Sequence, residues 1–164
     1  MKKCQNFSFL ILIMIWLLAL GSSPVFAQLA DGDFTTALKK SDRGDSKGAI
    51  TLYTKVIEVD STYYLAYYNC GVEKKKLGDY AGAIADFSEA IKINPDYKTY
   101  YGRAKSKQAI MDLQGAIMDF TKAIEINPDH LSSYFDRGID KLITGEVESG
   151  RSDLKRAKEL LSQL

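Results

Sequence analysis

The sequence predicts an all-α protein built as a stack of about four helix pairs, and three observations carry that prediction. Gly48-Ala49-Ile50 recurs as Gly82-Ala83-Ile84 and as Gly115-Ala116-Ile117, at spacings of 34 and 33 residues. Ten residues beyond each triplet, Glu58-Val59-Asp60 is matched by Lys92-Ile93-Asn94 and Glu125-Ile126-Asn127. Within a copy the small and apolar residues fall at helical intervals in two segments. Tyr67 and Gly71 precede the turn Leu77-Gly78-Asp79-Tyr80, and Ala83, Phe87, Ala90 and Ile93 follow it.

The elements follow in order. Residues 1–27 read as a secretory signal: Lys2 and Lys3 give a basic start, residues 9–20 contain no polar side chain, and Gly21-Ser22-Ser23-Pro24 interrupts the run. Val25-Phe26-Ala27 places small residues for cleavage before Gln28. An uncleaved anchor is the alternative, since residues 7–27 are long enough to span about 30 Å of hydrocarbon. Cys4 precedes the apolar run, which argues against a lipoprotein. The remainder, residues 28–164, divides at about 30–63, 64–97, 97–130 and 131–164. Asn94-Pro95 and Asn127-Pro128 end the second helices of two copies, because a residue before proline is pushed out of the helical region. Ser61 stands at that place in the first copy.

These residues resemble the tetratricopeptide repeat in period, paired helices and consensus positions. The second copy agrees best, through Tyr67, Gly71, Gly78, Tyr80, Ala83, Phe87, Ala90 and Pro95. The third keeps Tyr100, Ala104, Ala116, Phe120, Ala123 and Pro128 and is one residue short in the turn before Tyr100; the first keeps Ala37, Gly44, Ala49 and Tyr53. The fourth is degenerate, with Tyr134, Gly138, Gly145 and Ala157 retained but Gly150 for a small alanine and Leu154 for an aromatic. The resemblance implies eight helices, A and B of each repeat, in a right-handed α-solenoid whose concave groove is lined by A helices. The last helix is expected to cap the stack, with Arg151, Asp153, Lys155, Arg156, Lys158 and Glu159 forming a polar outer face.

Composition excludes some functions. Once Lys2 and Lys3 leave with the signal, 20 basic residues meet 21 acidic ones, which leaves no electrostatic footprint for nucleic acid. Cys70 is then the one remaining cysteine, so no internal disulfide forms in an oxidising compartment. No cysteine–histidine cluster has metal spacing and no glycine loop cradles phosphate, so neither metal nor cofactor is expected. His130, the single histidine, falls in a turn and reads as a solvated loop residue. Cys70, beside Gly71, reads as a buried inert thiol. No catalytic residue is assigned.

Four charged residues read as structural. Arg103 and Arg137 occupy an A-helix position that is apolar in the family, and Asp86 and Asp119 precede the B-helix aromatic. Pairing each B helix with the next repeat's A helix sets Asp86 against Arg103 and Asp119 against Arg137, as inter-repeat ion pairs.

In the family, ligand contacts come mainly from A-helix positions. Carried onto this chain, one such position gives Phe34, Tyr68, Tyr101 and Phe135, all aromatic. Neighbouring positions give Val72 and Lys105, and others Lys75, Lys76, Lys98 and Gln108. A groove with an aromatic ladder and a basic middle suits a protein or peptide carrying acidic groups. The family's carboxylate clamp is matched only by Asn69 and Lys98; Phe34, Leu38 and Gly102 stand where polar residues belong. The expected function is therefore an exported scaffold that holds a polypeptide in its groove, periplasmic in a double-membraned bacterium. Two alternatives remain: a subunit or assembly factor of an envelope complex working through its convex face or end cap, and an enzyme or small-ligand binder. No membrane span is expected in the mature chain, and the oligomeric state is left open.

Overall fold

The computed structural model describes residues 24–163, which are helical with short connections and no strand. Eight helices follow in order: α1 Pro24–Asp42, α2 Ser46–Val59, α3 Tyr64–Lys76, α4 Tyr80–Ile93, α5 Tyr97–Ala109, α6 Leu113–Ile126, α7 Leu131–Ile143 and α8 Val147–Leu161. Residues 1–23, which carry most of the expected secretory signal, lie outside the described residues. The chain divides into two compact units, Met1–Thr62 and Tyr63–Leu164. Among the described residues the first holds one helix pair, α1/α2. The second holds three, α3/α4, α5/α6 and α7/α8, with α4 packed on α5 and α6 on α7. Among the described residues no helix is long and apolar enough to cross a membrane.

The glycine of the recurring Gly-Ala-Ile triplet has a steric origin. Asp45, Asp79 and Asp112 cap the B helices, each accepting a hydrogen bond from the backbone N–H of Gly48, Gly82 or Gly115. A Cβ on any of these three glycines would collide with the capping carboxylate. In the last pair Glu146 stands at the cap without a side-chain cap bond, and Ser149 takes the glycine's place. The turns within the pairs need a left-handed residue, supplied by Gly44, Gly78 and Gly145 at φ of 79°, 82° and 91°. In the third copy Met111 takes that conformation at φ 63°. The connection before α5 has three residues, 94–96, where that before α7 has four, 127–130. Asp96 caps α5 from this shorter loop by accepting from the N–H groups of Lys98 and Thr99.

The first three pairs each close over an aromatic ring. In the first unit Tyr53 is buried with Ala37, Ala49 and Val56, and Phe34 packs on it at 5.6 Å between centroids. In the second, Phe87 and Phe120 are fully buried among Ala83, Ala90, Ala104, Ala116 and Ala123. Burying such a ring contributes about 1.5–3 kcal/mol. Gly102 of α5 lies so close to Phe87 that an added Cβ would sit 2.8 Å from the ring. The last pair has Leu154 instead of a ring, and its helices cross with Gly138 and Gly150 against each other's carbonyl oxygens. Cys70 is buried and unbonded to sulfur.

The ion pairs differ from the sequence expectation. Arg103 donates Nε and Nη2 to the two oxygens of Asp119, at 2.8 and 2.7 Å, within its own helix pair. Arg137 does the same with Asp153, at 2.8 and 2.6 Å. Asp86 meets Lys74 at 2.8 Å, not Arg103. The pairing of Asp86 with Arg103, and of Asp119 with Arg137, is therefore corrected. The reason is the antiparallel hairpin: Arg103 and Asp119 each lie eight residues from Met111 at its turn, so they stand opposite one another. What crosses between repeats is the remaining guanidinium nitrogen. Arg103 Nη1 reaches Ser88 Oγ, and Arg137 Nη1 reaches Thr121 Oγ1, each at 3.0 Å. Ser88 and Thr121 lie two residues beyond Asp86 and Asp119, about 200° around the B helix, which turns them toward the following A helix.

The predicted cap is also amended. Asp153 is buried, held by Arg137 and by Lys141 at 2.9 Å, so it does not join the polar outer face. Beside it the end of the second unit carries exposed Phe135 and Leu161.

Candidate functional site

In the second unit, α3 approaches α5 directly, and side chains of α5 bond to side chains of α7. The A helices thus make one inner face. Helical spacing puts Tyr68, Val72 and Lys75 in a row on α3, and Lys98, Tyr101, Lys105 and Gln108 in a row on α5. Phe135 extends this face on α7. Phe34 belongs to the first unit, where Tyr53 holds it.

The aromatic residues serve the core as well as the face. Tyr68 leans on Phe87 at 5.9 Å, and Tyr101 on Phe120 at 5.7 Å. Phe135, with Leu154 in place of a ring behind it, stays half exposed. Tyr101 is the most engaged. Its hydroxyl donates to Asp136 Oδ2 at 2.9 Å, and His130 meets its ring edge-on at 4.9 Å. Burial and the Asp136 carboxylate push its pKa up to about 12. Burial likewise raises that of Tyr68, with the charge of Asp96 adding to it.

The basic middle is partly neutralised. Lys105 Nζ lies 3.1 Å from Asp136 Oδ1 and donates to Gln108 Oε1 at 2.6 Å. Gln108 in turn donates to Asp140 Oδ1 at 2.7 Å. Lys76 is taken up by Glu73 at 2.6 Å. Lys98 extends over the ring of Tyr97. Lys75 has no carboxylate partner among the described residues. Burial lowers its pKa, and the nearby ammoniums of Lys105 and Lys76 lower it further.

Two concavities open between α3 and α5. One, of about 360 Å³, is lined by Lys75, Tyr80, Lys105, Gln108 and Ala109. The other, of about 280 Å³, lies toward the N-terminal ends of both helices, among Tyr64, Leu65, Tyr68, Asp96 and Lys98. The family's carboxylate clamp does not assemble here: Asn69 donates to the Leu65 carbonyl of its own helix, and Gly102 is pressed on Phe87. Among the described residues no group of three or more histidine, cysteine or acidic side chains is placed to hold a metal.

Three residues of this face escaped the sequence reading. Asp136 anchors Tyr101 and Lys105. Asp140 is fully buried beneath Gln108, and burial raises its pKa. His130, expected in solvent, packs at 5.0 Å from Tyr97 and close to Tyr101, shares a 2.7 Å bond with Ser133 Oγ, and has its pKa lowered by burial. Asp140 was legible in principle. It falls at the repeat position of Glu73 and Ser106, both buried, so that position is inward throughout the second unit.

Stacked antiparallel helix pairs with a core ring, a left-handed turn and an A-helix inner face define an α-solenoid repeat protein. Residues 64–97 and 97–130 each match the tetratricopeptide repeat, in direct tandem. Residues 64–130 are thus two tetratricopeptide repeats, α3/α4 and α5/α6. Solved structures share the fold. The crystal structure of MamA superposes with a TM-score of 0.80 at 22% identity, over 82% of this chain and 79% of that one. MamA from Desulfovibrio magneticus RS-1 gives 0.77 at 18%, over 82% and 76%. The first tetratricopeptide domain of Spaghetti (RPAP3), bound to the HSP90 peptide SRMEEVD, gives 0.70 at 22%, over 72% and 94%. No curated protein matches the sequence.

Proposed function

We propose that this protein is an interaction scaffold that holds a polypeptide segment on the inner face of α3, α5 and α7. The observation that carries the reading is the pair of open concavities between α3 and α5, lined by three tyrosines, a leucine, an alanine, three lysines, Gln108 and the capping carboxylate of Asp96. Tyrosine rings supply contact area at low entropic cost, and lysines orient an acidic partner. The Spaghetti domain, a neighbour in fold, is bound to an HSP90 peptide, which supports a polypeptide as the partner. Export to an envelope compartment is part of this proposal, and it rests on Lys2, Lys3 and the apolar residues 9–20.

Site-directed photocrosslinking tests the face. A benzoylphenylalanine at Val72, on the inner row, is compared with one at Met118, exposed on α6. Crosslinked partner from position 72 and none from 118 is the expected result. Adducts from 118 alone, or from neither, overturn the reading.

A second reading has its own observation. At the end of the second unit, Leu131, Phe135, Leu154, Ala157, Lys158 and Leu161 enclose an apolar hollow of about 290 Å³. Assembly into a larger complex through this end predicts that Phe135→Asp releases a co-purifying partner, while position 72 yields no crosslink.

A further inference from the structure

We infer that the inner face of the second unit reads a short extended motif: an apolar side chain in the Tyr64–Leu65–Tyr68 hollow and a carboxylate side chain between Lys75 and Lys105. This rests on the polypeptide-binding reading above and specifies the chemistry of its partner.

The two charged side chains that line the larger hollow, Lys75 and Lys105, are both basic. Lys105 is shared between Asp136 and Gln108, and Gln108 is itself held by Asp140, so both side chains are fixed in place. Lys76 is spent on Glu73. Lys75 brings a further ammonium to the same hollow, half buried and with no carboxylate among the described residues. Two ammoniums facing one space repel each other, and this adds to burial, the larger cause, in lowering the pKa of Lys75. A carboxylate placed between them removes that repulsion and replaces the water lost on burial with charge-assisted hydrogen bonds. The second hollow differs in kind. Leu65 and the rings of Tyr64 and Tyr68 offer an apolar wall, completed by Lys98 and by Asp96, whose carboxylate caps α5.

The spacing follows from helix geometry. Both hollows lie along α3 and α5, one at the N-terminal ends and one at the C-terminal ends. Lys75 lies seven residues beyond Tyr68 and ten beyond Leu65, which at 1.5 Å per residue is about 10 to 15 Å. Extended chain advances about 3.3 Å per residue. The carboxylate therefore stands about three to five positions from the apolar residue.

A random dodecapeptide library displayed on filamentous phage, selected on the full chain, tests this. The expected outcome is enrichment of Asp or Glu about three to five positions from Leu, Ile, Phe, Tyr or Trp. Selection on Lys75→Glu keeps the apolar preference and loses the acidic one, whereas Lys155→Glu, exposed on α8, keeps both. In fluorescence anisotropy, replacing the selected Glu by Gln weakens binding to the native chain roughly tenfold, and leaves binding to Lys75→Glu unchanged or tighter. Apolar enrichment without an acidic preference, or an acidic preference that survives Lys75→Glu, overturns the motif while leaving polypeptide binding intact. No enrichment at all overturns both.

Discussion

Arg103 and Asp119 form a two-pronged ion pair inside a single helix hairpin, and Lys107 joins the same carboxylate at 2.8 Å. Asp119 is buried, so losing its main partner is costly. Arg103→Ala is expected to lower the unfolding free energy by about 3 kcal/mol, the low end for a broken buried pair because Lys107 remains. Lys92→Ala, which removes a surface pair with Glu89, changes it by less than about 1 kcal/mol. Urea titration of the two variants measures the difference; equal small effects would remove the pair from the stability account.

Met111 stands where Gly78 and Gly145 stand in their turns, with the same sign of φ. A side chain in the left-handed region costs about 1–2 kcal/mol, offset in part by the greater unfolded-state freedom of glycine. Met111 is 72% exposed, so little packing is lost with it. Met111→Gly is expected to stabilise the chain by about 1 kcal/mol, read as a higher midpoint in thermal melting. A lower midpoint would mean that methionine makes a compensating contact.

Gly82 and Asp79 are coupled by space. Helix propensity alone favours alanine at position 82 by about 1 kcal/mol, yet its Cβ would displace the cap of α4, itself worth about 1 kcal/mol. Gly82→Ala should thus give no gain in the native background. In an Asp79→Ala background it should stabilise by about 0.5–1 kcal/mol. A double-mutant cycle measures this, and simple additivity would refute the steric account.

Asp140 carries a carboxyl whose pKa is raised in the fold, chiefly by burial and further by the charge of Asp136, against the Gln108 hydrogen bond and Lys105. A raised folded pKa means the group favours folding fully below its unfolded pKa, and that contribution is lost as pH rises through the folded value. Asp140→Asn keeps an acceptor for Gln108 without the charge. It should melt higher than the native chain at pH 7, with the gap closing as pH falls through the raised carboxyl range. A gap independent of pH would place the effect elsewhere.

The repeat, the helix pairs and their turns were legible in the chain because they are written in local chemistry. Asp79 and Gly82 define a helix start within four residues, and Asn94-Pro95 defines an end. The inward polar position of Glu73, Ser106 and Asp140 was equally periodic, but three different side chains concealed it. The groove positions were found as positions, not as states. Lys75 and Lys105 look alike in sequence, and only Asp136, on another helix, makes one of them paired.

Sequence by itself determined the period, the cap-and-turn chemistry and the inward or outward direction of most side chains, since these depend on residues within one or two helical turns. The tertiary structure decided partner choice: Arg103 with Asp119 rather than Asp86, Tyr101 with Asp136 and His130, Gln108 with Asp140. Those choices depend on how two helices are rotated against each other. A rotation of 100° per residue means that one position along a helix exchanges one neighbour for another.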